Sequence, residues 1–242
     1  MLPNRLRASA IRTLTLASIA VGGAALMSRS LFELSGAYPA KAVGAFGVVI
    51  FLALRHLSRQ HPFDRFGSAN QITTARAAIV ALLVALIGER PATAIAVAVA
   101  LVSIVAIVLD GVDGWMARRE GLASPFGARF DVETDAALIQ VLAVLVWGFG
   151  KAGPWIVAAG LLRYAFVAAG WLIPWMRAPL PSSLRGRAIC VMQIVALVVA
   201  MLPAVTPQAS SAIAASGLSA LGYSFAVDTL WLWRQSTSRR TQ

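Results

Sequence analysis

Residues 110–135 read DGVDGWMARREGLASPFGARFDVETD and hold six of the ten acidic residues in the 242-residue chain. Long apolar runs lie on both sides of this stretch, over residues 91–109 and 136–149. Carboxylates placed between two apolar helices are costly to desolvate, so they need a cation, a cationic partner or a chemical function. The stretch therefore predicts both a helical membrane fold and a site within it.

The composition of the whole chain supports a membrane protein. Hydrophobic residues make up 59% of it and charged residues only 13%, whereas about a quarter of the residues in a soluble domain are charged. Apolar runs near membrane-spanning length recur along the chain. We predict an all-α, polytopic membrane helix bundle of eight spans, with apolar runs at about 13–27, 40–54, 72–88, 92–112, 130–149, 153–175, 188–203 and 211–233.

The first apolar run follows a basic start that contains Arg5, Arg7 and Arg12. This arrangement resembles a signal peptide. A second apolar run follows closely, so the two runs are predicted to form a retained transmembrane hairpin, and cleavage of the first run is the alternative.

The basic residues predict the orientation in the membrane. If the N-terminus is inside, fifteen of the 21 basic residues fall in inside segments, four fall outside, and Arg76 and Arg163 fall within spans. Such a bias predicts cytoplasmic termini and a cytoplasmic site, at the inner membrane. Basic residues that face the cytoplasm and attract anionic lipid account for the net charge of +11, so no nucleic acid partner is expected. The inside residues are Arg5, Arg7, Arg12, Arg55, Arg59, Arg65, Arg118, Arg119, Arg129, Arg177, Arg185, Arg187, Arg234, Arg239 and Arg240.

Helical spacing brings the central carboxylates together. Asp110 and Asp113 share one face at the end of a span, and Asp131 and Asp135 share a face at the start of the next. An antiparallel pair of helices would gather all four, and their repulsion would be relieved by a hard divalent cation such as Mg²⁺, Mn²⁺ or Ca²⁺. Cys190 is the only cysteine, which excludes an intrachain disulfide and a zinc site built from Cys and His pairs.

Small residues beside these carboxylates indicate a phosphorylated substrate. Gly114, Ala117 and Gly127 leave space next to them, and the planar guanidinium of Arg118 can donate two parallel hydrogen bonds to phosphate oxygens. Together with a metal ion and a spare carboxylate as base, this is the composition of a phosphoryl-transfer site at the membrane surface.

The spacing of these residues resembles the signature of the CDP-alcohol phosphotransferase family, D-x2-D-G-x2-A-R-x8-G-x3-D-x3-D. It is matched without a gap, at Asp110, Asp113, Gly114, Ala117, Arg118, Gly127, Asp131 and Asp135. The segment SANQITTAR at 68–76 resembles the P-N-x-x-T-x-x-R helix start of the family, with Ala69 in place of proline. The nearest likeness is to phosphatidylglycerophosphate and phosphatidylinositol-phosphate synthases.

The resemblance implies roles for the signature residues. Asp110, Asp113 and Asp131 would ligate Mg²⁺ or Mn²⁺, as two ions, with Asp135 contributing and also acting as the general base. The residues implied in CDP binding are Asp113, Gly114, Ala117, Arg118, Gly127 and Thr73. The resemblance also implies a homodimer and divides the chain into an N-terminal hairpin (1–60), a six-helix core (61–235) and a cytoplasmic tail (236–242).

Four arginines outside the signature are candidates for binding the acceptor: Arg76, Arg163, Arg185 and Arg187. For Arg76 and Arg163 the alternative is an ion pair with a signature carboxylate or with Asp228. The segment GRAICVMQ at 186–193 resembles a motif of phosphatidylglycerophosphate synthases, but Ile189 and Cys190 replace its second lysine and threonine.

Two acidic residues of the central stretch lie outside the signature. Glu120 and Glu133 are expected to be solvated or paired with Arg119 or Arg129. Asp228 is expected to form a buried ion pair or hydrogen bond.

The predicted function is transfer of a phosphatidyl group from CDP-diacylglycerol to the hydroxyl of a small polar alcohol, with or without a phosphate group of its own, with release of CMP. One alternative is a donor of the CDP-choline or CDP-ethanolamine type with diacylglycerol as acceptor. A cation transporter is disfavoured because the acidic residues gather at one membrane face. A catalytically silent homologue is disfavoured because it would have no reason to keep four costly carboxylates.

Overall fold

The computed structural model describes residues 4–181 and 183–238, and the regular structure in those ranges is helical throughout. The predicted all-α fold is confirmed, and Arg239 and Arg240 of the predicted tail lie outside the described residues. The described ranges contain eight α-helices: α1 (Asn4–Leu31), α2 (Tyr38–Gln60), α3 (Ser68–Ala85), α4 (Thr93–Glu120), α5 (Pro125–Gly148), α6 (Ala158–Leu172), α7 (Leu184–Met201) and α8 (Pro207–Ser238). Short 3-10 turns at Pro154–Val157 and Pro174–Arg177 flank α6.

Seven helices in the described part of the chain are long and apolar enough to cross a membrane, one fewer than the eight spans predicted. The helix that does not qualify is α5. Its first half carries four charged residues: Arg129, Asp131, Glu133 and Asp135. The part of α5 after Asp135 has no charged residue, but it is shorter than the roughly 20 residues that span a bilayer.

The described chain forms two compact units, which divide within α5 between Val141 and Leu142. The first unit contains α1 to α4 and the start of α5, and the second contains the rest of α5 and α6 to α8. In the first unit, α3 packs against α1, α2 and α4. Half of the α3 span is buried, the largest share among the seven candidate spans of the described residues. The predicted boundary after residue 60 stays a prediction.

A polar latch joins the turn of the α1–α2 hairpin to the end of α3. The Lys41 Nζ donates to the carbonyl oxygens of Ala85 (3.2 Å) and Ile87 (3.1 Å) and to Glu89 Oε1 (2.9 Å). Glu89 also accepts from the backbone N–H (2.9 Å) and the hydroxyl (2.6 Å) of Ser35. Burial alone would raise the pKa of the Glu89 carboxyl, but the hydrogen bonds from Ser35 and Lys41 lower it overall. The latch therefore stabilises a charged pair. It also satisfies the carbonyl oxygen of the last α3 residue and one carbonyl oxygen just after the helix.

The hairpin contacts α3 and its preceding loop at two further points. The Tyr38 hydroxyl donates to the Leu82 carbonyl oxygen at 3.1 Å, and the Phe66 backbone N–H donates to Ser9 Oγ at 3.1 Å. Polar bonds thus accompany the apolar packing of α1 and α2 on this helix.

The turn between α4 and α5 follows directly from its sequence. Helix α4 ends at Glu120, and Gly121 follows with a φ of 65°, a left-handed conformation that glycine adopts without strain. Helix α5 begins with Pro125, and Ser124 Oγ accepts from the Gly127 N–H at 3.0 Å. A serine cap followed by proline at the first helical position is a strong start signal. Both halves of the signature are therefore helical, with a short connection between them.

In the second unit, a glycine permits close packing of α7 on α8. Gln193 of α7 is fully buried, and a methyl group on Gly217 of α8 would meet its Oε1 and lie 3.1 Å from the Ala196 Cβ. We expect Gly217→Ala to destabilise the protein by about 1–3 kcal/mol because a filled interface must shift. Thermal unfolding of the detergent-solubilised protein measures this as a fall in Tm.

Gly222→Ala is the matched control for this prediction. Gly222 lies in the same helix, and no atom lies within 4 Å of the methyl group that alanine would add. Alanine is the better helix former by about 1 kcal/mol, so this variant should be unchanged or slightly stabilised. Equal melting temperatures for the two variants would contradict the packing argument.

Candidate active site

Four carboxylates of the signature surround the guanidinium of Arg76, which is 1% exposed. The Arg76 Nη1 donates to Asp113 Oδ2 at 2.9 Å and to Asp131 Oδ1 at 2.5 Å. The Arg76 Nη2 donates to Asp135 and forms an ion pair with Asp110 Oδ1 at 2.7 Å. The structure thus brings together the four carboxylates that the helical spacing predicts, from α4 and α5, on a cation supplied by α3.

Three of the four carboxylates form a group that could hold a metal ion. One oxygen from each of Asp110, Asp113 and Asp131 lies within 4.8 Å of the others, and Asp135 is outside this group among the described residues. The donors are carboxylate oxygens, which suit a hard divalent cation. The residues therefore fit Mg²⁺ or Mn²⁺, and Asp135 lies beside the group on the shared Arg76 guanidinium.

The carboxylates differ in exposure, and this difference gives the site an open side. The Asp113 side chain is 5% exposed, whereas the side chains of Asp110 and Asp131 are 27% and 36% exposed. A ligand can therefore reach the cluster past Asp110 and Asp131, while Asp113 lies at its base.

Helix α3 supplies more than Arg76 to this arrangement. The Thr73 hydroxyl lies 3.0 Å from Asp113 Oδ2 and 3.1 Å from the Ala69 carbonyl oxygen, so its single proton serves one of them at a time. Sequence reasoning assigned Thr73 to CDP binding, which stays a prediction. Its contact supports a second role, in which it orients the most buried carboxylate.

Asn70 is a residue of the site region to which sequence reasoning gave no role. It is buried and donates from Nδ2 to the Phe66 carbonyl oxygen at 2.5 Å. A Cβ added at Gly127 would lie 2.9 Å from the Asn70 Oδ1. Gly127 therefore permits the close approach of α5 to α3, in addition to the space for CDP that was predicted there. The sequence shows that Asn70 occupies the asparagine position of the P-N-x-x-T-x-x-R segment, but it does not show that Asn70 packs against Gly127.

Glu120 has a partner that was not expected. Its Oε2 accepts from the Ser68 backbone N–H at 3.2 Å, so the last residue of α4 caps the start of α3. A carboxylate at a helix N-terminus is favourable because it satisfies a free N–H and opposes the helix dipole. Sequence reasoning placed Glu120 in solvent or on a neighbouring arginine, since local spacing does not reveal a partner 52 positions away.

A buried histidine supports the turn beside the site. His61 Nε2 donates to the Arg65 carbonyl oxygen at 2.8 Å, and His61 Nδ1 lies within hydrogen-bond distance, 3.0 Å, of Ser124 Oγ. Ser124 in turn accepts from the Gly127 N–H. This chain of bonds gives His61 a structural function at the start of α5.

The remaining predicted CDP-binding residues lie along α4. Arg118 is exposed, and one of its guanidinium nitrogens lies 3.5 Å from the position of a Cβ on Gly114. The arginine therefore lies across the glycine that follows Asp113 in the signature. Ala117 is half-buried. Roles for all three in CDP binding stay predictions.

Three of the four predicted acceptor-binding arginines belong to the second unit. Arg185 donates to Asp228, so the expected ion pair of that aspartate forms, although both side chains are half-buried and not buried. The Arg185 Nε is buried without a hydrogen-bond partner among the described residues. Arg187 is exposed and Arg163 is half-buried. The fourth, Arg76, lies among the signature carboxylates, which matches the alternative weighed for it.

The apolar helices and the cluster of carboxylate oxygens place the protein in the class of all-α membrane proteins with a candidate metal site. A family model described as CDP-alcohol phosphatidyltransferase matches residues 66–227, and the chain belongs to this family. It is accordingly an integral membrane phosphatidyl-transfer enzyme of phospholipid synthesis. No curated protein and no solved structure gives a significant match to the chain. Helices α1 and α2 lie outside the matched residues.

Proposed function

We propose that the protein transfers a phosphatidyl group from CDP-diacylglycerol to the hydroxyl of a small polar alcohol. The convergence of four signature carboxylates on one site, in a chain of this family, is the observation that carries the proposal. The new bond joins the acceptor oxygen to the phosphorus on the lipid side of the pyrophosphate. The bond from that phosphorus to the bridging oxygen breaks, and CMP leaves.

Asp135 is the proposed general base. It takes the proton of the acceptor hydroxyl as that oxygen attacks the phosphorus. Its position beside the group of Asp110, Asp113 and Asp131 supports this division of roles. Arg76 holds the Asp135 carboxylate in place by a hydrogen bond.

Asp110, Asp113 and Asp131 are the residues that would hold divalent metal, and members of the family depend on such metals in general. Bound Mg²⁺ or Mn²⁺, proposed as two ions, would neutralise the pyrophosphate and stabilise the leaving CMP. Thr73 orients Asp113 through its hydroxyl. Arg118, Gly114, Ala117 and Gly127 are proposed to bind the CDP moiety.

The acceptor is proposed to be an alcohol that carries an anionic group such as phosphate. Arg163, Arg185 and Arg187 are proposed to recognise it, and the ion pair of Arg185 with Asp228 fixes the direction of that guanidinium while offsetting its charge. The charge bias along the sequence supports a cytoplasmic site and cytoplasmic termini, at the inner membrane. A homodimer stays an expectation from the family resemblance.

The experiment that tests this function measures CMP release by the purified protein. The protein is incubated in mixed micelles with CDP-diacylglycerol, Mg²⁺ and a panel of small alcohols and alcohol phosphates. CMP and a new phosphatidyl product are expected with an alcohol phosphate, and EDTA should abolish both.

Two other results of this experiment would overturn the proposal. CMP release only with a soluble CDP-alcohol and diacylglycerol would establish the alternative donor and acceptor. No CMP with any pair of substrates, at any Mg²⁺ or Mn²⁺ concentration, would exclude phosphatidyl transfer under these conditions.

A further inference from the structure

Arg76 makes an unusual set of contacts for a single side chain. Its two terminal nitrogens contact four carboxylates, and each nitrogen contacts two of them. A guanidinium has four N–H bonds on these nitrogens. Asp113, Asp131 and Asp135 each accept a hydrogen bond from them, and Asp110 forms an ion pair at 2.7 Å. Arginine pairs most strongly with one carboxylate through two parallel bonds, and that fork-to-fork geometry is absent in this cluster.

The guanidinium is oriented by the carboxylates alone. The third nitrogen, Nε, is buried without a hydrogen-bond partner among the described residues. No carbonyl or hydroxyl is bonded to the terminal nitrogens in the described part of the chain. The group is therefore bound to the acidic cluster without a second anchor.

Charge makes this position significant for metal binding. Arginine is always protonated, so Arg76 offsets part of the repulsion among the four carboxylates but cannot balance it. Three of the carboxylates that it contacts, those of Asp110, Asp113 and Asp131, are the same ones that form the candidate metal group. A divalent ion and the guanidinium thus share one set of partners.

We propose that Arg76 is a resident counter-cation of the metal site, which holds the signature carboxylates in place and competes with the divalent ion for them. Arg76 thereby sets the affinity of the site for metal, and it acts on the reaction as a positioning residue. This inference rests on the metal-binding part of the proposed function. It assigns to Arg76 a role other than the acceptor binding predicted from sequence.

The test compares the wild type with Arg76→Gln and Arg76→Lys in detergent, by two measurements that do not depend on turnover. Free Mn²⁺ is followed by its EPR signal to give the binding affinity, and thermal unfolding is followed in EDTA and in Mn²⁺. Arg76→Gln should bind Mn²⁺ about tenfold more tightly, because a competing charge is gone. Its Tm in EDTA should fall by several degrees, because the carboxylates repel one another, and Mn²⁺ should restore it.

Arg76→Lys distinguishes the effect of the positive charge from the effect of the number of N–H donors. A lysine ammonium keeps the charge but has three N–H bonds, so it cannot contact all four carboxylates. Intermediate values are expected in both measurements. If Arg76→Gln fails to fold, this variant carries the test, and wild-type values for it would then overturn the inference.

Arg119→Gln is the charge-matched control. Arg119 lies near the end of α4, where it is exposed and packs over the Trp115 ring at 4.9 Å. It should leave Mn²⁺ affinity and Tm unchanged. If Arg76→Gln binds Mn²⁺ and melts like the wild type, the inference about Arg76 is wrong, and the proposed function is not affected. Failure of the wild type itself to bind Mn²⁺ would reject the metal site, and with it both proposals.

Discussion

Asp135→Asn should lower kcat for CMP release by about a thousandfold, within the usual range for loss of a general base. An amide cannot take the proton from the acceptor hydroxyl, although its oxygen can still accept the hydrogen bond from Arg76. Since Asp135 lies outside the group of three carboxylates, the affinity for Mn²⁺ should fall much less than kcat does. Steady-state kinetics and Mn²⁺ binding on the same preparation check both parts.

Glu133→Gln is the control for this prediction. Glu133 lies on the same turn of α5 but outside the signature, and the same charge is removed. We expect near wild-type kinetics from it. A fall of less than tenfold in Asp135→Asn would show that another group accepts the proton, and an equal fall in both variants would point to the net charge of the turn.

Asp113→Asn is expected to produce the second large effect, and it should separate stability from activity. Asp113 is the most buried of the four carboxylates and receives hydrogen bonds from Thr73 and Arg76. An asparagine oxygen can keep these contacts, while one of four crowded negative charges is lost. We expect Tm in EDTA to stay the same or rise, with Mn²⁺ affinity and the rate of CMP release both falling by about a hundredfold or more.

Thr73→Val provides the comparison for this second prediction. It removes the hydroxyl that contacts Asp113 but keeps every charge in the cluster. Loss of such an outer partner usually costs about tenfold to a hundredfold in metal affinity or activity. Undiminished Mn²⁺ binding by Asp113→Asn would show that the ion is held elsewhere.

Local periodicity was enough to predict much of the acidic site. Residues three and four apart share a helix face, and a short turn returns the chain, so Asp110, Asp113, Asp131 and Asp135 had to converge. The prediction of eight spans was less successful for α5, because the charges that make the site also shorten its apolar part.

Contacts between distant segments were not predictable in the same way. Arg76 lies 59 positions before Asp135, and Glu120 lies 52 positions after Ser68. Helical spacing fixes which residues share a face, but it does not state which face of another helix they meet. For this reason Arg76 was assigned first to the acceptor, and Glu120 to solvent or a nearby arginine.

The hairpin of α1 and α2 has a consequence for how the protein is made. Helix α3 carries Asn70, Thr73, Thr74 and Arg76, and with a mean hydropathy of 1.2 it shares the lowest value among the seven candidate spans of the described residues. Such a segment enters a bilayer poorly by itself. Because chains are synthesised from the N-terminus, the hairpin reaches the membrane before α3 does. Since Tyr38 and Lys41 of the hairpin hydrogen-bond to the end of α3, we expect the hairpin to favour the insertion of this arginine-bearing helix during synthesis.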